Sequence, residues 1–178
     1  MTELHARLIL GEDAFRVDLA QGVPLAIPIG PDGRHPRFFL DEPARFSRFE
    51  SGGFVGDVQA GGSCNVSAVT LVPHCHGTHT ECVGHITLEP LDVIDVCPRG
   101  LVPATLCSVS PGPAGEETTV GPGPTIRADQ LDWPEWCRAL VIRCLPNEPG
   151  KIDRHYGQSP PYPLLSVEAM DKIVRAGI

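Results

Sequence analysis

The sequence predicts an α/β chain with a mixed sheet and few, short helices. Three observations lead there. Gly and Pro number 19 each among 178 residues, a density that breaks the chain into short elements separated by turns. Apolar runs with few charges recur at "LVPATLCSV" (101–109) and "RALVIRCL" (138–145), the pattern of buried strands. The clearest helix signals fall in "SVEAMDKIVRAG" (166–177).

Taken in order, "HARLILG" and "AFRVDLA" flank "GED", which reads as a β-hairpin around a Gly/Asp turn. "VPLAIPIG" is broken by proline and is at most an edge strand. In "CNVSAVTLVP" (64–73), Val66, Ala68 and Thr70 fall on one face, and Asn65, Ser67, Val69 and Leu71 on the other. That alternation is a strand. "LDVIDVCP" (91–98) suits strand or helix, and "RADQLDW" (127–133) suits one or two helical turns. "SVSPGPAGEETTVGPGPT" (108–125) reads as a Gly/Pro-rich surface loop. In the final helix Ser166 is the N-cap, Glu168 favours the positive end of the dipole, and Gly177 suits the position after the helix. Val167, Met170, Ile173 and Val174 are its expected buried stripe.

The length predicts a single domain over residues 1–178. A formal net charge of −8 and the lack of basic runs argue against nucleic acid as a partner. No apolar stretch approaches the roughly 18 to 20 residues of a membrane span. The N-terminal residues lack the pattern of a signal peptide, so a cytoplasmic location is expected. The seven cysteines fall at irregular spacings with no CxxC pair, and most are expected to be buried thiols. Arg34, Arg37, Arg45 and Arg48 read first as a solvated surface segment and offer one candidate anion-binding patch.

The chemistry concentrates in "PHCHGTHTECVGHI" (73–86), which holds four histidines, two cysteines and a glutamate. Taken as extended, residues 75–85 put Cys75, His79, Glu81 and His85 on one face, and His74 and His76 on the other. His79 and Glu81 then present an imidazole and a carboxylate roughly 6 to 7 Å apart along the strand. That pair suits zinc or manganese. A third ligand is needed. His74 is favoured, reaching the ligand face through a bulge before Gly77, with Cys75 and His76 as alternatives. His85 is too far along a straight strand for the same ion and suits a general acid/base.

The run "CHGTHTECVGH" resembles the H-x-G-T-H-x-D-x-P-x-H signature of the cyclase family of metal-dependent hydrolases, the family of bacterial kynurenine formamidase. Gly77, Thr78, His79 and His85 match. Glu81 stands where the family has aspartate, Val83 where it has proline, and Cys75 where it has the first histidine. "FVGD" (54–57) resembles the Gly-Asp turn before the strand that feeds the site. The resemblance implies a swivelling β/β/α-type domain, one or two divalent ions (Zn2+ or Mn2+), hydrolysis of an N-formyl or cyclic amide, and a homodimer or homotetramer. It makes His74, His79 and Glu81 the metal ligands and His85 the catalytic histidine. The extra methylene of Glu81 pushes the ion about 1 Å farther from the backbone. The family's further histidine and glutamate follow the segment that resembles 163–178, so the domain is expected to be C-terminally incomplete. His155 and Glu168 are the nearest substitutes in sequence.

Two other readings compete with the hydrolase. One is a metal-binding module without catalysis, a degenerate relative lacking the distal ligands. The other is a thiol enzyme using Cys75 or Cys82 with a neighbouring histidine.

Overall fold

The computed structural model describes residues 4–113, 123–157 and 162–178. The chain is mixed α/β with short helices. In chain order its strands are β1 (His5–Leu10), β2 (Asp13–Asp18), β3 (Arg45–Arg48), β4 (Glu50–Ser51), β5 (Phe54–Val55), β6 (Ser67–Thr70), β7 (Ala104–Val109), β8 (Thr125–Ile126), β9 (Ala139–Cys144) and β10 (Leu164–Leu165). The α-helices are α1 (Pro73–His76), α2 (Val93–Val96) and α3 (Val167–Arg175). Both parallel and antiparallel pairs occur, as two-stranded ribbons among the described residues. No helix among them is long and apolar enough to cross a membrane. The backbone gathers into two compact units, the first comprising Met1–Leu25, Ile94–Asn147 and Pro161–Ile178, the second Ala26–Val93 and Glu148–Pro160.

In the first unit β1 and β2 form the expected hairpin, paired from His5↔Asp18 to Leu10↔Asp13. Its two-residue turn requires a positive φ, which Gly11 supplies at 62°. Trp136 docks on this hairpin, its indole N–H donating to Asp13 at 2.9 Å and its ring meeting Phe15 edge-on at 5.3 Å.

The strands β7 and β9 pair in parallel over six positions. They are not buried on both faces as their composition suggested. Thr105, Cys107 and Val109 point inward while Leu106 is exposed, so β7 alternates like a half-buried strand. The ends of the expected 108–125 loop are strand residues. Ser108 and Val109 close β7, Thr125 opens β8, and Gly112 exchanges two backbone bonds with Thr125. Residues 114–122 of that loop lie outside the described residues.

The core of this unit is apolar: Cys107, Val109, Ile126, Leu131 and Ala169, flanked by Trp133, Leu140, Ile142 and Ile173. Helix α3 covers it. Ser166 caps the helix as expected, its hydroxyl accepting from the Ala169 amide at 3.1 Å, and Gly177 takes a φ of 71° just past the end.

The stripe that α3 buries differs from the expected one. Ala169 is fully buried and Ile173 packs beside it, whereas Val167, Met170 and Val174 are 53%, 46% and 66% exposed. Lys172 explains the rotation. Its ammonium donates to the carbonyls of Ala128 and Leu131 and lies 5.0 Å over the Trp133 ring. That ties its turn of the helix to the segment Ala128–Trp133 although Lys172 itself stays exposed.

In the second unit β3 and β6 pair antiparallel from Arg45↔Thr70 to Arg48↔Ser67, inside the strand expected over 64–73. A tight hairpin joins β4 to β5 through Gly52 and Gly53, both at positive φ (54° and 83°). Gly56 follows where a Cβ would meet the carbonyl oxygens of Val66 and Phe49 at 2.6 and 2.9 Å, so only glycine fits. Asp57 then accepts from the amides of Gln59 and Ala60.

The buried centre of this unit is polar. His35 is wholly inaccessible and His76 nearly so, their rings edge-to-face at 5.4 Å. Carbonyls can only accept, so the tautomers follow from the partners. The Nδ1–H of His35 donates to the carbonyls of His76 (2.9 Å) and Pro36 (3.0 Å), and its Nε2 accepts from the Ala44 amide at 3.1 Å. The Nε2–H of His76 donates to the Glu42 carbonyl at 3.0 Å, and its Nδ1 accepts from the Val72 amide at 2.8 Å. Both rings are neutral and have a partner at each nitrogen.

Candidate metal centre

The segment 73–85 is not a strand. Pro73 presets the backbone for the first helical position, and the amides of Cys75 and His76 return to the Val72 carbonyl at 2.9 and 3.0 Å. On one turn of helix, residues two apart face opposite ways. His76 therefore points into the unit while His74 faces out, which removes His76 from the possible ligands. Cys75 is half-buried, and its carbonyl accepts from the Phe38 amide at 2.9 Å.

The turn ends at Gly77, packed so closely on Ile29 that a Cβ would lie 2.7 Å from the Ile29 Cδ1. Residues Val83–His85 then form a 3-10 turn. Gly84 makes that turn possible, since a Cβ there would lie 2.3 Å from the Leu91 carbonyl oxygen. The Cys82 thiol donates to the same oxygen at 3.2 Å. Among the described residues no imidazole nitrogen is hydrogen-bonded to Cys75 or Cys82, the arrangement that a thiolate nucleophile needs. The expectation of mostly buried cysteines also fails, because only Cys107 and Cys137 are buried.

These two turns bring the predicted residues together by another route than strand alternation. The ligand atoms of His74, Glu81 and His85 lie within 4.8 Å of one another, a group able to hold a divalent ion. The distance that excluded His85 from such a group assumed an extended backbone. In the folded chain its ring stacks on His74 with centroids 4.3 Å apart and planes 16° from parallel.

Glu81 is the hub. Its Oε2 is 3.2 Å from His74 Nε2 and 3.5 Å from His79 Nε2. Metal–ligand bonds of roughly 2.0–2.2 Å at tetrahedral or octahedral angles place ligand atoms about 3.0–3.5 Å apart, so each spacing suits a pair of ligands, while the group whose ligand atoms all lie within 4.8 Å of one another contains His85 and not His79.

The tautomer of His79 sharpens this. Its Nδ1 lies 2.8 Å from the Gly77 carbonyl, and Nδ1 must carry the proton to bond there. In the neutral ring Nε2 then presents a lone pair to the Glu81 carboxylate. A lone pair and a carboxylate 3.5 Å apart are an arrangement that a metal ion can join. A carbonyl holding the distal N–H of an imidazole is also the usual support of a metal-binding histidine.

The cluster is open to solvent, with the side chains of His74 and Glu81 45% and 51% exposed. A cavity of about 270 Å³ adjoins it, sharing His74, Thr78 and His79 with Ile27, Phe38 and Tyr156. The Thr78 hydroxyl fixes one wall by accepting from the Ile27 amide at 3.0 Å.

The other wall comes from far along the chain. Residues 154–157 lie parallel to 37–39, with Arg37 donating to the Arg154 carbonyl (3.1 Å), Tyr156 to the Arg37 carbonyl (2.9 Å) and Phe39 to the Gly157 carbonyl (2.9 Å). The rings of Phe38 and Tyr156 stack at 4.3 Å. Nothing in the sequence of either segment marked these residues.

The remaining candidates are engaged elsewhere. His155 bonds the Leu40 carbonyl at 3.1 Å and Asp41 at 3.2 Å. Glu168 sits in the first turn of α3. Of the four arginines in the candidate anion patch, Arg34 pairs with Asp153, Arg37 with the Asp41 carbonyl, and Arg48 with Glu50 and Asp57. No protein-family model, curated protein or solved structure matches this chain.

Proposed function

We propose that this chain is a divalent-metal-dependent hydrolase of N-formyl or cyclic amide bonds, related to the cyclase family and to kynurenine formamidase within it. The observation that carries the reading is the Glu81 oxygen shared by His74 Nε2 and His79 Nε2 at 3.2 and 3.5 Å. The local motif supports it, as does the cavity beside the cluster. Two nitrogens and a carboxylate oxygen suit Zn2+ or Mn2+.

His74, His79 and Glu81 hold the ion, with the Gly77 carbonyl orienting His79. A divalent ion there supplies Lewis acidity to a carbonyl oxygen and acidifies water. His85, stacked on His74 at the open side, holds the proton that passes to the departing nitrogen. Thr78 shapes the cavity through Ile27 and keeps the substrate carbonyl near the cluster. A swivelling β/β/α arrangement and assembly as a dimer or tetramer belong to the same proposal, and light scattering reads the latter.

The test is metal content after dialysis, together with turnover on a panel of N-formyl and cyclic amides. Glu81→Ala and His79→Ala lose both metal and turnover. His85→Ala keeps the metal and loses turnover; metal loss in that variant would instead make His85 a ligand. Unchanged activity in Glu81→Ala and His79→Ala overturns the proposal.

The openness of the cluster and the engagement of His155 with Asp41 favour a second reading, a metal-binding protein without catalysis. Stoichiometric metal with no turnover across the panel distinguishes it.

A further inference from the structure

The cavity beside the cluster is lined by one lysine, Lys151, besides its imidazoles. No carboxylate lines it, and Glu81 pairs with the lining His74 and His79 at 3.2 and 3.5 Å. Lys151 sits in the 3-10 turn Pro149–Asp153, in the segment that the three bonds between 37–39 and 154–157 clamp in place.

Its neighbours in sequence are neutralised. Arg154 is paired with Glu148 at 2.6 Å, a bond that raises the guanidinium above its ordinary value, and Asp153 is paired with Arg34 at 3.5 Å. Among the described residues no carboxylate or carbonyl accepts from the Lys151 ammonium. In a chain of net charge −8, an unmatched cation in an apolar-walled cavity is the feature that draws in a small anion.

We infer that the cavity holds the substrate of the proposed hydrolase and that Lys151 selects one bearing a carboxylate, with its apolar body against Phe38 and Tyr156. The inference rests on the hydrolase reading for the identity of the scissile bond. A single ammonium matches a carboxylate better than a phosphate, which calls for several donors or an arginine fork. About 270 Å³ is at or below the small end of the roughly 300–1,000 Å³ range of ligand pockets, so the substrate is a compact molecule. The apolar walls limit water around the ion pair and strengthen it.

The test uses zinc-loaded protein with N-formylphenylalaninate and N-formylphenylalaninamide, which share the same N-formyl amide and differ in the terminal charge. Dissociation constants come from calorimetry, and kcat/KM from whichever is hydrolysed. The carboxylate is preferred about tenfold, as a charge-assisted hydrogen bond provides. Lys151→Met abolishes the preference and Lys151→Arg restores part of it.

A preference that survives Lys151→Met, as it would if the carboxylate sat on the zinc, overturns the assignment. So does equal or absent binding of both compounds. A preference lost in Lys151→Met, with neither amide hydrolysed, supports the role of Lys151 and counts against the hydrolase reading alone.

Discussion

The two compact units are held together by different physics. One packs Cys107, Val109, Ile126, Leu131 and Ala169 into an ordinary apolar core. The other, which carries the histidine cluster, buries His35 and His76 at its centre and ties them to backbone groups from residues 36, 42, 44, 72 and 76. Apolar packing is non-directional and tolerates adjustment. A saturated hydrogen-bond network fixes geometry, and losing one member leaves buried groups unpaired. The difference teaches that, in the unit bearing the site, stability and site geometry depend on the same bonds. In the apolar unit they are separable.

That contrast is sharpest at His35. His35→Leu leaves the Ala44 amide and the His76 carbonyl without their partner. At roughly 1–3 kcal/mol for each orphaned group, the variant loses about 4 kcal/mol in denaturant titration. Because His76 is seated by the same network, zinc affinity falls with stability, by at least about tenfold in a chelator competition.

Leu131→Ala, at a position 1% exposed, loses about 3 kcal/mol by creating a cavity, yet its folded fraction binds zinc as the parent does. A parallel loss of zinc affinity there would break the comparison. Ser166→Ala removes the α3 cap, lowers stability by about 1 kcal/mol, and leaves zinc binding and the Lys151-dependent preference untouched.

What the sequence made legible was local. The β1–β2 hairpin follows from Gly11 and flanking alternation, and the Ser166 cap and Gly177 stop of α3 follow from residues within one turn. The parallel pairing of β7 with β9 joins residues 35 apart in sequence, and apolar composition reveals neither partner nor exposed face.

The α3 stripe differs because the helix is held by bonds between distant residues. The exposed Lys172 donates to the carbonyls of Ala128 and Leu131, which no periodicity shows. In the site, the residue types of 73–86 pointed to a metal, and the structure supports the coarser part of that: His74, Glu81 and His85 could hold a divalent ion. The backbone was another matter. Pro73 starts a helical turn and Gly84 allows a second, so residues assigned to strand faces meet by folding back. The cavity wall was illegible, because Phe38, Lys151 and Tyr156 become neighbours only once 154–157 lies against 37–39.

The single turn α1 has a consequence of its own. His74 and His76 leave one turn of helix in opposite directions, the first toward the Glu81 carboxylate and the second toward the Glu42 carbonyl and the Val72 amide. Where the outer ring stands beside Glu81 is therefore set by the same four residues of backbone that seat the inner ring.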